Sequence, residues 1–202
     1  MQRKKTDKKL AVLAAATELF SENIFHEVRL ETVAERAGVG KGTIYTYFKS
    51  KDELFVQCLV HDAPVIEDRI EAILGSGRPF FDSLKELVAL KYENFQIKGP
   101  LIQQIMMLGP QLKISSKEFQ DLTGIFKRSI ASQTRFFQKA IDQGILKTCL
   151  TAGQAAIIFD KFFTINLTFA VFKEPALSAD KILNCVLLLL GAQIADEKKI
   201  FA

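Results

Sequence analysis

The chain has 202 residues, 49% of them hydrophobic and 25% charged, a balance that supports one or two compact units with a substantial core and excludes a low-complexity or disordered chain. A formal net charge of +4 is too small to mark a nucleic-acid binder by itself, so any such reading must come from where the charges cluster. Cys58, Cys149 and Cys185 are scattered without a CxxC pair, which argues against a disulfide framework and for packed, reduced thiols in a cytoplasmic protein.

Residues 1 to about 7 are polar and basic and read as a frayed start. A first helix follows, with Leu10, Leu13, Thr17 and Phe20 on one face and Ala14, Ala15 and Ala16 allowing close packing. Glu18 breaks its apolar run, which fits an amphipathic helix and not a secretory leader. Next, Leu30, Val33 and Ala34 repeat at helical spacing, Gly38 and Gly40 interrupt, and Ile44, Tyr47 and Phe48 resume over a very short second helix. The pattern is helix, tight turn, helix. Gly38 suits the left-handed residue that ends the first of the pair, and the bare backbone at Gly40 and Gly42 lets the second begin close to whatever it touches. From Arg36 to Lys51 there is no acidic residue, yet Arg36, Lys41, Lys49 and Lys51 are present. A DNA-reading helix-turn-helix needs this geometry and this charge. Ser50 to Glu53 has the spacing of a capping box and opens a fourth helix through Leu54, Phe55, Cys58 and Leu59, which Pro64 ends or kinks.

The run AERAGVGKGTIYTYFKSKDEL, preceded by AATELF, resembles the N-terminal domain of TetR-type bacterial transcriptional regulators over about residues 8 to 60. The resemblance implies an all-α fold: a three-helix DNA-binding domain with the helix-turn-helix at 1–62, and a larger helical effector-binding and dimerisation domain at 63–202. It makes Lys41, Thr43, Tyr45, Thr46 and Tyr47 candidates for contacts with double-stranded operator DNA, with Gly42 allowing close approach. Lys41 reaches a guanine edge or a phosphate, Thr43 and Tyr47 offer hydroxyls to phosphates, Tyr45 and Thr46 suit a thymine methyl, and Lys51 is placed for a phosphate. The chain departs from the family at Ile24, where Gly is common, and at Arg29, where Ser or Thr often caps. Asn23 is able to take the role of the missing Gly, and Arg29 trades a cap for a phosphate contact. Gly40 also lacks the side chain that often caps the reading helix.

Beyond residue 65 helical signals dominate, with breaks expected at GSGRP (75–79), at Lys98-Gly99-Pro100 and at Gly109-Pro110. One helix runs through Leu84, Leu87, Val88, Lys91 and Phe95. A longer one opens on the Ser115 to Glu118 box, passes Phe119, Leu122, Phe126, Ile130, Phe137 and Ile141, and stops at Gln143-Gly144. Thr151 to Gln154 and Ser178 cap the last two helices, about 152–173 and 179–198. Both are apolar around most of their circumference, Ile157 to Phe169 in one and Ile182 to Ile194 in the other. Since a surface helix needs a single apolar stripe, a second buried face implies a partner, and the resemblance implies a homodimer through these two helices.

Of the 17 phenylalanines, 13 lie in this larger part, and most serve as ordinary core. The resemblance adds an effector pocket; Phe95, Met106, Met107, Phe126, Phe137 and Phe163 would suit a small hydrophobic or aromatic molecule, with Gln103, Gln133 and Asn166 to orient it. Asp160-Lys161, inside an apolar helix, reads first as a salt-linked or solvent-exposed pair and second as an effector or dimer contact. His26 and His61 lack the carboxylate and nucleophile neighbours of a hydrolytic site, and no phosphate loop, metal-ligand cluster or cofactor motif is present in the sequence, so no enzyme is expected. No apolar run approaches the roughly 20 residues of a membrane span. The reading is a regulator, most simply a repressor, released from a palindromic operator by an effector. The alternatives are a ligand-independent architectural or cell-cycle factor that binds DNA, and a small helical enzyme that borrowed the N-terminal module.

Overall fold

The computed structural model describes residues 2–171 and 175–190, and their side chains apart from those of 2–5, 110 and 167–171. Its elements are α1 (Gln2–Glu22), α2 (Leu30–Arg36), α3 (Lys41–Tyr47), α4 (Lys51–Val60), α5 (Ala63–Leu74), α6 (Phe80–Leu108), a 3-10 turn (Gly109–Gln111), α7 (Ser116–Asp142), α8 (Ala152–Val171) and α9 (Ala179–Leu189). The fold is all-α, without a strand among the described residues. The chain divides into two compact units, one of residues 1–64 with 96–125, the other of 65–95 with 126–202. A single cut at 62/63 leaves residues 96–125 out of the first of these.

In the first unit α1 packs on α2, α3 and α4. It begins at Gln2, earlier than its polar start suggests, and the side it buries carries Val12, Leu13, Ala16, Leu19 and Phe20, while Leu10 remains 43% exposed. Phe20, Phe25 and Phe55 form the centre of the core, with ring centroids 4.9 to 5.8 Å apart. Each such ring contributes about 1.5–3 kcal/mol by leaving water. Leu101, Ile105 and Leu112 complete that core from far along the chain. Cys58 is packed here as well, and burial pushes its thiol from 9.0 up to about 11, which makes it inert.

Helix caps appear where the sequence places them. Ser50 accepts from the Glu53 amide at 3.0 Å, Ser115 and Glu118 bond each other's backbone amides, as do Thr151 and Gln154, and Ser178 accepts from Lys181. Two expected breaks behave otherwise. Pro64 lies in the first turn of α5, where its missing N–H costs nothing, and α4 has already ended at Val60. The break at Lys98-Gly99-Pro100 is absent: α6 runs unbroken from Phe80 to Leu108 with Pro100 inside it. The helical bond that Pro100 cannot make would end on the carbonyl of Gln96. Burial of Leu101 and Ile105 on the residues that follow outweighs that loss.

In the second unit, the rings of Phe80, Phe137, Phe159 and Phe163 form a chain with centroids 5.4 to 6.3 Å apart, and Phe136 stacks on Phe80 at 4.8 Å. α8 and α9 pack on each other. The expected ends of the final helices, residues 172–173 and 191–198 with Ile194, and the side chains of Leu167 and Phe169, lie outside the described residues. Among the described residues no helix is long and apolar enough to cross a membrane.

Candidate nucleic-acid interface

The turn between α2 and α3 is built from backbone bonds. Gly38 takes φ +65°, its N–H donates to Glu35 at 3.1 Å, and the Val39 N–H donates to Ala34 at 2.9 Å. This double bond pattern closes the end of α2 and requires a left-handed residue at Gly38. α3 starts from Gly40 without a side-chain cap, and α2 starts from Arg29, also uncapped, with the Arg29 side chain exposed.

α3 has two faces. Ile44 is 1% exposed, and Phe48 directly after the helix is equally buried, so these two fix it to the core. Lys41, Gly42, Tyr45 and Thr46 are exposed, Tyr45 by 52%, and Thr43 and Tyr47 are half-buried. The Thr46 hydroxyl donates to the Gly42 carbonyl at 3.0 Å. A Cβ added at Gly40 or Gly42 would meet nothing within 4 Å, so the backbone there is open to a large partner.

The charges are arranged less simply than the acid-free run suggests. Lys41 donates to Glu31 of α2, and that bond lowers the pKa of Glu31 and raises that of Lys41. Glu31 stands ten residues before Lys41, on a different helix, so no single-helix spacing reveals it. Arg36 pairs with Glu22 at 3.4 Å and Glu18 at 3.7 Å. Lys51, the first residue of α4, is partly buried, and desolvation lowers its pKa. Its ammonium lies 4.5 Å from the Phe25 ring centroid and donates to the His26 carbonyl at 3.3 Å.

The residues proposed to meet an effector fall in both compact units. Gln103, Met106 and Met107 belong to the first, and the two methionines are 67% and 66% exposed. Phe95, Phe126, Gln133, Phe137, Phe163 and Asn166 belong to the second. There Phe95, Gln133, Phe137, Phe163 and Asn166 are buried and Phe126 is 44% exposed. Asn166 is committed to structure, since its amide donates to and accepts from the Leu177 backbone at 3.1 and 2.9 Å. Asp160 does not pair with its neighbour Lys161; it accepts from Lys91 at 2.7 Å, and that ammonium sits within 6 Å of the Phe159 and Phe163 ring centroids. Gln133 donates to Ser129 at 2.8 Å, while its buried carbonyl oxygen has no hydrogen-bond partner among the described residues. An open cleft of about 460 Å³ within the second unit, lined by Arg69, Ile73, Arg78, Glu86, Leu90 and Glu93, includes none of the nine. No group of three or more His, Cys, Asp or Glu able to hold a metal occurs among the described residues.

Residues 12–58 match the family of bacterial regulatory proteins called the tetR family. The chain is 27% identical over 163 residues to YhgD, an uncharacterised HTH-type transcriptional regulator of Bacillus subtilis, covering 76% of this chain and 84% of that protein. It is 36% identical over 142 residues to the HTH-type transcriptional regulator RutR of Escherichia coli K12, covering 69% of this chain and 64% of RutR, just under two thirds of that protein. The fold is shared with the transcriptional regulator FadR from Bacillus subtilis in complex with stearoyl-CoA, with a TM-score of 0.67 at 22% identity, over 92% of this chain and 98% of that one. With the turn at Gly38 and the outward face of α3, these likenesses identify residues 12–58 as a helix-turn-helix domain of the tetR family and support a TetR-type transcriptional regulator.

Proposed function

We propose that the protein is a homodimeric repressor that binds a roughly palindromic operator through paired α3 helices and is released when a small hydrophobic or aromatic molecule enters its C-terminal part. The observation that carries this reading is the division of α3, with Ile44 anchored in the core and Lys41, Gly42, Tyr45 and Thr46 left on the outside. Arg29, Thr43, Tyr47 and Lys51 flank that face and supply phosphate contacts. The effector reading is supported by the aromatic interior of the second unit, which holds the Lys91–Asp160 pair and the unsatisfied Gln133 carbonyl. It is supported too by the similar FadR, whose structure holds stearoyl-CoA. Ile157 and Ile165 on α8, with Leu188 and Leu189 on α9, are exposed and support pairing of two subunits there.

Release works as a population shift: the effector favours the arrangement whose two reading helices no longer match half-sites about one DNA turn, or a multiple, apart. A coupling of about 1–3 kcal/mol changes operator affinity roughly 5- to 150-fold. The test is binding to duplexes selected by the wild-type protein from a random pool. Tyr45→Ala and Lys51→Ala each lower affinity by about tenfold or more, and unchanged binding by both would remove this surface from the reading.

A further inference from the structure

Lys51 owes its place to a residue more than fifty positions away. The side chain of Gln104, on the C-terminal part of α6, reaches the junction between α1 and α2 and uses both ends of its amide. Its Nε2 donates to the Phe20 carbonyl at 2.7 Å and to the Asn23 carbonyl at 3.2 Å, and its Oε1 accepts from the Phe25 N–H at 2.6 Å. Phe20 lies in the last turn of α1, where carbonyls lack a helical partner, so this one side chain closes a helix end and fixes the turn that follows. The fixed turn is the seat of Lys51: the Phe25 ring lies beneath its ammonium and the His26 carbonyl accepts from it. A second tie comes from the same stretch of chain, because Asp52, next to Lys51, accepts from the Lys113 N–H at 2.9 Å. All of these residues belong to one compact unit.

We propose that Gln104 is a positioning residue for DNA binding, which by holding the 23–26 turn presents the ammonium of Lys51 to a backbone phosphate. The inference rests on the reading of Lys51 as a phosphate contact given above. Gln104 itself touches no DNA in this scheme. Only an amide, or a group with both a donor and an acceptor, satisfies the site. Leucine loses all three bonds. Glutamate keeps the acceptor for Phe25 but, when ionised, faces two carbonyls and the negative end of α1, which raises its pKa. Once protonated it regains a donor.

The test uses the full chain and a fluorescein-labelled mixed-sequence duplex of about 30 base pairs, titrated between about 50 and 200 mM salt, where non-specific affinity counts phosphate contacts. Lys51→Ala flattens the log–log salt slope by about one for each subunit engaged. Gln104→Leu flattens it to the same extent, and the double variant loses no more than either single one. Gln104→Glu binds weakly at about pH 8 and returns to within about twofold of wild type at about pH 5, a recovery that simple damage to packing does not give and that serves also if Gln104→Leu fails to fold. A wild-type slope in Gln104→Leu, additive losses in the double variant, or wild-type binding by Gln104→Glu at both pH values overturns the inference. An unchanged slope in Lys51→Ala overturns it as well while leaving DNA binding intact, whereas a wild-type protein that does not bind the duplex removes the regulator reading itself.

Discussion

Glu31 neutralises the cation that opens α3. The pair is exposed, so it adds little to stability, but it sets a carboxylate beside the face proposed to meet phosphate. Glu31→Gln therefore raises duplex affinity by about threefold at low salt, because the variant frees Lys41 and removes a like charge from the DNA-facing side. The pH dependence has a definite sign. The Glu31 pKa in the folded protein lies below its ordinary 4.5, so the pair persists above that value and is lost as the pH falls through the folded pKa. The advantage of Glu31→Gln over wild type consequently narrows as acidity protonates the native Glu31, which anisotropy titrations at a series of pH values measure; an advantage that is absent at neutral pH would show that Lys41 is not held back by its partner. Residues of this kind mark where a sequence stops being readable. Ile44 and Phe48 are legible as anchors from spacing alone, whereas Glu31 and Gln104 act across helices and leave no periodic trace.

Elements were legible in proportion to how local their causes are. Ser50 with Glu53, Ser115 with Glu118 and Thr151 with Gln154 cap helices through groups three residues apart, and Gly38 and Gly144 end them at positive φ, so chain order announces each one. Pro100 misleads for the opposite reason. Its local preference breaks a helix, but Leu101 at 0% exposure and Ile105 at 9% reward continuation through contacts that only the folded unit supplies. Lys98 adds to that reward, since its buried ammonium donates to the Cys58 carbonyl near the end of α4 and pairs with Asp62 at 3.2 Å. Replacement of the proline tests the balance. Pro100→Ala restores the N–H that bonds the Gln96 carbonyl, at the expense of a more flexible unfolded chain, for a net gain of about 1–2 kcal/mol in urea unfolding. A loss of stability would mean that the pyrrolidine ring packs better than the hydrogen bond it forfeits.

At the scale of the whole molecule, composition identifies which residues are apolar but not which of them become neighbours. Met106 and Met107 fall in one compact unit and Phe137 and Phe163 in the other, a division that no local spacing along the chain announces. The final helices are easier, because a face has to be covered whatever covers it. α9 buries Ile182, Val186 and Leu187 and leaves Leu188 65% and Leu189 46% exposed; α8 buries Ala155, Ala156, Phe159 and Phe163 and leaves Ile157 and Ile165 outside. In the proposed dimer, pairing these outer faces between two chains supplies the second reading helix that a palindrome requires. Light scattering then gives about twice the 22.6 kDa chain mass for the wild type. Leu188→Glu, which puts a charge on the outer face and leaves the buried side of α9 intact, shifts it towards the single-chain mass with unchanged helix content. Each half-site is then held by one reading helix alone, so affinity for a two-half-site duplex falls by about a hundredfold or more. A variant that stays dimeric and keeps its affinity places the subunit contact elsewhere on the chain.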